Sequence, residues 1–273
     1  MTKTVLLIGG AGFIGTHLKS RLTQEGHSVD VIDKLSGRNI NDEYGLINDI
    51  NYSHVVFLAA EANLRAVKQN PTEAIKTMTS GLMKCLLTYP SAHFTYISSS
   101  MVYGNWDDSV YEYSHRAPID LYGQLKLAGE GIVRELHKYW TIIRPTAVYG
   151  PGDNPSRGMP LFIEKAKNNE TLTVKGYNNQ LDFTHVDDVV AGIILGMDST
   201  DNRTFNISYS KAVHLENIAK YICEKVGSGS VKVEIPDVEY PQRGTMSIER
   251  AMHELGYQPR VDVFAGIDQL IQG

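Results

Sequence analysis

Tyr122 and Lys126 stand four residues apart in a helical pattern, which puts both side chains on one face, a turn apart. A phenol with an ordinary pKa of about 10 serves as a base near neutral pH only if its anion is stabilised by roughly 3–4 kcal/mol. An ammonium group one turn away supplies much of this. A hydroxyl from a separate strand end would then hydrogen-bond the reacting oxygen. The run Ser98, Ser99, Ser100 closes an apolar strand pattern at Phe94–Ser98 and offers one. Singly, such a pair is common on any amphipathic helix and a serine run is an ordinary loop. Their order behind a dinucleotide loop is what points to proton transfer at a hydroxyl or carbonyl oxygen, worth about a hundred- to ten-thousand-fold in rate.

The dinucleotide loop is Gly9-Gly10-Ala11-Gly12-Phe13-Ile14-Gly15, between an apolar run at Thr4–Ile8 and a helical pattern at Gly12–Glu25. One glycine makes the tight turn, one lets backbone approach a pyrophosphate, and the last lets helix pack on strand. The helix N-terminus adds unpaired N–H groups and a partial positive charge. Asp33 ends the next strand pattern, Val29–Ile32, close to the spacing of about 20 residues expected for the carboxylate that accepts the adenosine ribose hydroxyls. A carboxylate there repels a 2′-phosphate and favours NAD over NADP. Lys34 and Arg38, close behind, weaken that preference without reversing it.

The elements that must position these groups alternate. Thr4–Ile8, Val29–Ile32, Gly45–Asn48, His54–Ala60, Phe94–Ser98 and Thr141–Arg144 read as strands. Gly12–Glu25, Pro71–Tyr89 and Asp120–Tyr139 read as helices, the last with Leu125, Ala128, Ile132 and Leu136 on one stripe. This alternation predicts an α/β, Rossmann-type doubly wound parallel sheet. A turn cluster at Pro151–Pro155 marks a change of character. Residues 1–150 read as the NAD-binding domain. Residues 151–273 read mainly as a smaller C-terminal substrate-binding lobe, with some segments returning to the first domain. Such a lobe would face the carboxyl ends of the strands, where open α/β sheets bind ligands.

Composition narrows the function classes. The 273 residues carry a net charge of -5, which argues against a nucleic-acid surface. No run of about eighteen apolar residues exists to span a membrane. Val5–Ile8 is too short for a signal peptide and leads straight into glycines. The two cysteines, Cys85 and Cys223, lack ligand spacing and read as free thiols of a cytoplasmic protein. No metal site is expected.

With these residues in place, the chain resembles the extended short-chain dehydrogenase/reductase family, and within it the NAD-dependent nucleotide-sugar epimerases and dehydratases. The resemblance runs through Gly9–Gly15, Leu58–Ala60, Ser98–Gly104, Tyr122–Lys126, Arg144–Pro151, Phe183–Asp188 and Glu254–Pro259. It implies that Tyr122 is the acid–base residue and Lys126 its electrostatic partner, which also binds the nicotinamide ribose. Ser99 would hold the substrate oxygen, with Ser100 its near rival. The resemblance implies an NAD site formed by Gly9, Gly12, Phe13, Ile14, Gly15, Asp33, Lys34 and Ser36, with Leu58, Ala59, Ala60 and Pro145 lining it. Asp49 and Ile50 would touch adenine. Arg65 and Arg243 match positions near the substrate, and the Arg243 fork could clamp a diphosphate. His185, Asp187 and Asp188 read as capping and positioning the next helix.

The chain also departs from its relatives. Ser100 and Met101 stand where 4,6-dehydratases carry an acid and a base, so dehydration is not expected. Leu181 replaces a frequent arginine and removes a phosphate contact. Met78 and Ala147 replace frequent asparagines. The stretch from Ile47 to Val55 leaves no room for the usual helix before the next strand and opens the adenine side. The resemblance implies epimerisation of a sugar, carried on a nucleotide, through a keto intermediate. The alternatives are a net NAD(P)-dependent sugar dehydrogenase or keto-sugar reductase, and a non-catalytic dinucleotide sensor. It also implies a homodimer built on a four-helix bundle, where Ala128, Gly129 and Gly131 would permit close approach.

Overall fold

Six parallel strands form the sheet in the computed structural model. It describes residues 2–272 apart from 43, 44, 47, 48, 62, 63, 157, 178 and 236–241, and apart from the side chains of Leu64 and Arg65. β1 (Thr4–Ile8) is followed by α1 (Phe13–Gln24), β2 (Ser28–Ile32) and β3 (His54–Phe57). α2 (Leu64–Gln69) precedes α3 (Pro71–Lys76) and α4 (Leu82–Thr88), the latter two joined by a π turn at Thr77–Gly81. Next come β4 (His93–Ile97), β5 (Trp106–Val110), α5 (Leu121–Leu136) and β6 (Trp140–Pro145). The later half holds β7 (Val148–Tyr149), α6 (Gly158–Lys167), β8 (Thr171–Lys175), β9 (Gln180–Asp182), β10 (Thr184–His185) and α7 (Val186–Met197). β11 (Arg203–Ile207), β12 (Ala212–His214), α8 (Leu215–Val226), β13 (Ser230–Glu234), β14 (Arg243–Met246), α9 (Glu249–Leu255) and α10 (Val263–Gln272) complete the order.

The main sheet runs β11-β6-β4-β3-β1-β2. The order reverses at β1, which opens a crevice at the carboxyl ends of β1 and β3. Central strands need apolar residues on both faces, and Val5 to Ile8 are all fully buried. Leu18 and Leu22 of α1 and Val189 and Ile193 of α7 cover one face. Leu82 and Leu86 of α4 and Val133 of α5 cover the other. A separate core of Met159, Ile163, Leu172, Ile218, Ile222 and Ile267 joins the β8–β13 pair to α6, α8 and α10. β11 and α7 come from the later half of the sequence yet pack into the main sheet.

Four expectations are corrected. β3 stops at Phe57 rather than Ala60, because the chain must leave the sheet where Ala59 packs on Gly9; a Cβ at Gly9 would lie 2.6 Å from Ala59 N. Of the strand expected at Gly45–Asn48, Gly45 and Leu46 are not in a strand, and residues 47 and 48 lie outside the described residues. The helix expected at Pro71–Tyr89 carries the π turn, beside which Thr79 Oγ1 donates back to the Ile75 carbonyl at 2.7 Å. On α5 only half of the apolar stripe is buried: Leu125 is buried and Ile132 packs partly buried on the core, but Ala128 is exposed and Leu136 is 44% exposed, while Gly123, Lys126, Glu130 and Val133 share the buried face. Glu130 takes the core side because two arginines pair it there, and Lys126 because its ammonium is bonded to the Ile97 carbonyl.

Candidate active site

The glycine loop is shaped by contacts that leave no room for side chains. Gly9 has φ +83°, and a Cβ on Gly15 would lie 2.6 Å from Gly10 Cα. Above Gly12, by contrast, a Cβ would meet nothing nearer than the Gly9 carbonyl at 3.5 Å. Gly12 is the N-cap of α1, and no side chain caps it. The first N–H groups of α1 are thus open to an anion. Asp33 ties this loop to β2: its Oδ2 accepts from Ala11 N at 3.0 Å and its Oδ1 from Leu35 N at 2.8 Å.

A cavity of about 860 Å³ lies over the carboxyl ends of the strands. Gly9, Gly12, Phe13, Ile14, Gly15, Asp33 and Lys34 line it, as do Leu58, Ala59, Ala60 and Pro145. Ser99, Ser100, Tyr122, Lys126 and Arg243 line the same cavity. Three expected residues are not brought there. Ser36 is exposed, and its hydroxyl donates to the Asp33 carbonyl at 2.9 Å. Asp49 and Ile50 line a second cavity of about 520 Å³ with Tyr52 and Tyr89 instead. Leu35, Arg38, Ile40 and Thr77 line the main cavity from the loop after β2 and from the π turn. The Arg65 side chain lies outside the described residues.

Asp120 starts α5 by accepting from Gly123 N at 2.8 Å, which sets Tyr122 and Lys126 on the cavity wall. Lys126 is 2% exposed; its Nζ donates to the Ile97 carbonyl at 2.6 Å and sits 5.7 Å from the centre of the Tyr122 ring. Burial pulls the ammonium down to about 7, against the attraction of Glu130. Ser99 caps the 3₁₀ turn Ser100–Tyr103 by accepting from Met101 N at 3.2 Å. Arg243 is partly buried, with its guanidinium 5.9 Å from the Trp106 ring centre and Nη2 against the Met101 sulfur. Its Nε has no partner among the described residues. Burial lowers it to about 10, with the Asp120 charge opposing, so it remains a cation.

Further residues stand around this core, of which Glu130 is the one that the sequence pattern did not single out. Ser98 Oγ, Glu130 and Arg144 form a buried cluster directly behind Lys126. The spacing of four from Lys126 to Glu130 was a readable signal for it. Ala147 lines the cavity at φ 35°, a strained backbone for a residue with a Cβ. His185 caps α7 by accepting from Asp187 N at 3.3 Å, and Asp188 accepts from Arg260 N and Val261 N at 2.9 and 3.0 Å.

The profile of the NAD dependent epimerase/dehydratase family matches residues 5–208, and the chain belongs to that family. It is an NAD-dependent enzyme. Its similar proteins include UDP-glucuronate 4-epimerase 4 of Arabidopsis thaliana, 25% identical over 98% of this chain and 74% of that protein. UDP-glucuronic acid decarboxylase 1 of Xenopus tropicalis is 29% identical over 98% of this chain and 71% of that protein. The structure of a UDP-glucose 4-epimerase from Thermotoga maritima with UDP-glucose superposes with a TM-score of 0.90 at 26% identity, covering 98% of this chain and 97% of that one. MoeE5 in complex with UDP-glucuronic acid and NAD superposes with a TM-score of 0.88 at 25% identity, covering 98% of each chain. The residues present fit NAD: the open space above Gly12, the uncapped α1 N-terminus and the Asp33 carboxylate match a pyrophosphate and a ribose.

Proposed function

We propose that this enzyme epimerises a nucleotide-linked sugar, at the 4-position, through a transient keto form. The supporting observation is that Tyr122, Lys126, the glycine loop and Arg243 share one cavity. NAD held by the glycine loop and Asp33 would supply the acceptor for the hydride of the sugar carbon and the donor for its return to the other face. Tyr122, as phenolate, takes the proton of the sugar hydroxyl, and returns it when the hydroxyl is restored. The Lys126 ammonium stabilises that phenolate in a site where burial strengthens the attraction. Ser99 or Ser100 donates to the sugar oxygen. Arg243, with a free N–H donor, holds the diphosphate. Met101 offers no base where the dehydratases of the family carry one, so the keto sugar is not dehydrated. UDP-sugars named for the similar proteins make a uridine diphosphate carrier the first to test.

Protein purified without added nucleotide is denatured, and the released small molecules are identified by mass spectrometry. Tightly held NAD near one per chain supports internal hydride recycling. An empty protein that binds NADH reversibly favours a net dehydrogenase or reductase. Tyr122→Phe is expected to abolish turnover and leave NAD affinity within about threefold. Full activity in that variant would remove the acid–base assignment.

A cytoplasmic homodimer belongs to the same proposal. Cys85 and Cys223 are free thiols, and among the described residues no helix is long and apolar enough to cross a membrane. Ala128 and Gly131 are exposed on α5, whereas Gly129 faces Tyr96 and cannot serve the contact. A monomer mass independent of concentration in light scattering would rule the dimer out.

A further inference from the structure

We infer that Glu130 is a positioning residue for proton transfer: buried behind the Tyr122–Lys126 pair, it sets the charge that Lys126 presents to Tyr122. The inference rests on the reading of those two residues as the acid–base pair.

Tyr122, Lys126 and Glu130 follow at intervals of four on α5 and share one face. Glu130 is fully buried, and four donors converge on it. Ser98 Oγ and Arg144 Nε donate to its Oε1, each at 2.7 Å. Arg144 Nη2 and Arg134 Nη2 donate to its Oε2 at 2.6 and 2.9 Å. Burial alone would raise this carboxyl. The two guanidinium groups and the serine win, and hold it ionised below the usual range.

Lys126 lacks such support. Its hydrogen bond goes to a carbonyl, and the rings of Tyr96 and Tyr122 lie 5.2 and 5.7 Å from its Nζ. Of the charged groups among the described residues, Glu130 is the one that favours its ammonium form. Arg144, which pairs with Glu130, is held by its own bonds to Tyr103 Oη at 2.7 Å and the Glu112 carbonyl at 3.1 Å. Arg134 reaches Glu130 from the next turn of α5, with 33% of its side chain exposed. The field at Lys126 is therefore set by the Glu130 carboxylate, whose charge its bonds to Arg144 and Arg134 offset in part, and it can be moved in either direction. A lysine near its midpoint at neutral pH converts a small change of field into a large change of charged fraction.

The test reads Lys126 directly. Protein loaded with NAD and carrying ¹³C-lysine is titrated by NMR, with the Lys126 Cε signal assigned from Lys126→Met. Glu130→Gln is expected to lower the Lys126 midpoint by about one pH unit, and Glu130→Asp to return most of it. Arg134→Gln removes a cation that is one-third exposed, and is expected to raise the midpoint. If Glu130→Gln leaves Arg144 unpaired and does not fold, Arg134→Gln decides alone. Opposite shifts in the two variants, or an upward shift in Arg134→Gln alone, support the inference, because a merely structural cluster has no reason to respond by sign. Unmoved midpoints overturn it. Failure of Tyr122→Phe to affect turnover would sink the acid–base reading and leave these midpoints where they are.

Discussion

Two glycines of the loop separate what a residue does for folding from what it does for binding. A Cβ on Gly15 would press on Gly10 Cα, C and O at 2.6 to 2.7 Å, all backbone, so helix and loop must part. Gly15→Ala is expected to cost about 1–3 kcal/mol in urea unfolding and to weaken NAD binding as well. Gly12 has φ -77°, which any residue adopts, and free space above it. Gly12→Ala is expected to lose no more than about 1 kcal/mol, the difference between glycine and alanine as N-cap. It should still lose NAD affinity by tenfold or more, because the methyl group occupies the space a pyrophosphate needs. Calorimetric titration and thermal melts check both; equal losses of stability in the two variants would count against this division of roles. These glycines were legible because strand, turn and helix are local patterns. Asp49 and Ile50 were misplaced for the opposite reason. The loop after β2 is held by contacts across sequence, such as Asn41 Nδ2 donating to Glu73 Oε1 and Thr77 Oγ1 at 3.0 and 2.9 Å. No periodicity signals such a contact.

At the scale of elements, helix α5 shows where patterning fails. Apolar residues at Leu125, Ala128, Ile132 and Leu136 suggest a stripe toward the core, yet only Leu125 and Ile132 pack inward, Ala128 and Leu136 are exposed, and Lys126 and Glu130 take buried places. A buried charge is tolerable when paired and hydrogen-bonded, and Arg144, itself fully buried, pairs Glu130 through two nitrogens. Sites of chemistry are where local rules are broken and compensated. The segment Phe183–Asp188 was read more successfully, because a cap is a local device. Asp188 nonetheless does more than its own helix requires. It binds the backbone of Arg260 and Val261 and so fastens the chain just ahead of α10 to α7. Asp188→Ala leaves two N–H groups without their acceptor and is expected to cost about 2–3 kcal/mol. A urea midpoint unchanged from wild type would show that water replaces the carboxylate.

Over the whole molecule, the half-buried His93 and the buried Asp182 contribute pH dependence of opposite sign. His93 stacks on His54 with ring centres 5.8 Å apart and shares a hydrogen bond with Thr141 Oγ1 at 3.0 Å. Burial, with His54 and His137 nearby, holds His93 down to about 4. The unfolded chain takes up that proton near pH 6.5, so the contribution of His93 is fully present above 6.5 and is lost as pH falls toward 4. Asp182 behaves oppositely. It is 1% exposed, its Oδ2 accepts from Met246 N at 3.0 Å, and burial raises it to about 6. The native state then holds a proton that the unfolded chain releases near 3.8, so stability rises as pH falls from 6. The two slopes oppose each other between pH 6.5 and 4.5 and flatten the wild-type profile there. Asp182→Asn keeps an acceptor for Met246 N but removes the titration. Relative to its own value at pH 7, that variant should lose about 2 kcal/mol more than wild type by pH 4.5. His93→Gln removes the other slope and should lose less than wild type over the same range. Urea midpoints at several pH values measure both. Three parallel profiles would mean that neither group changes its proton affinity on folding, and that the acid sensitivity of the protein lies elsewhere.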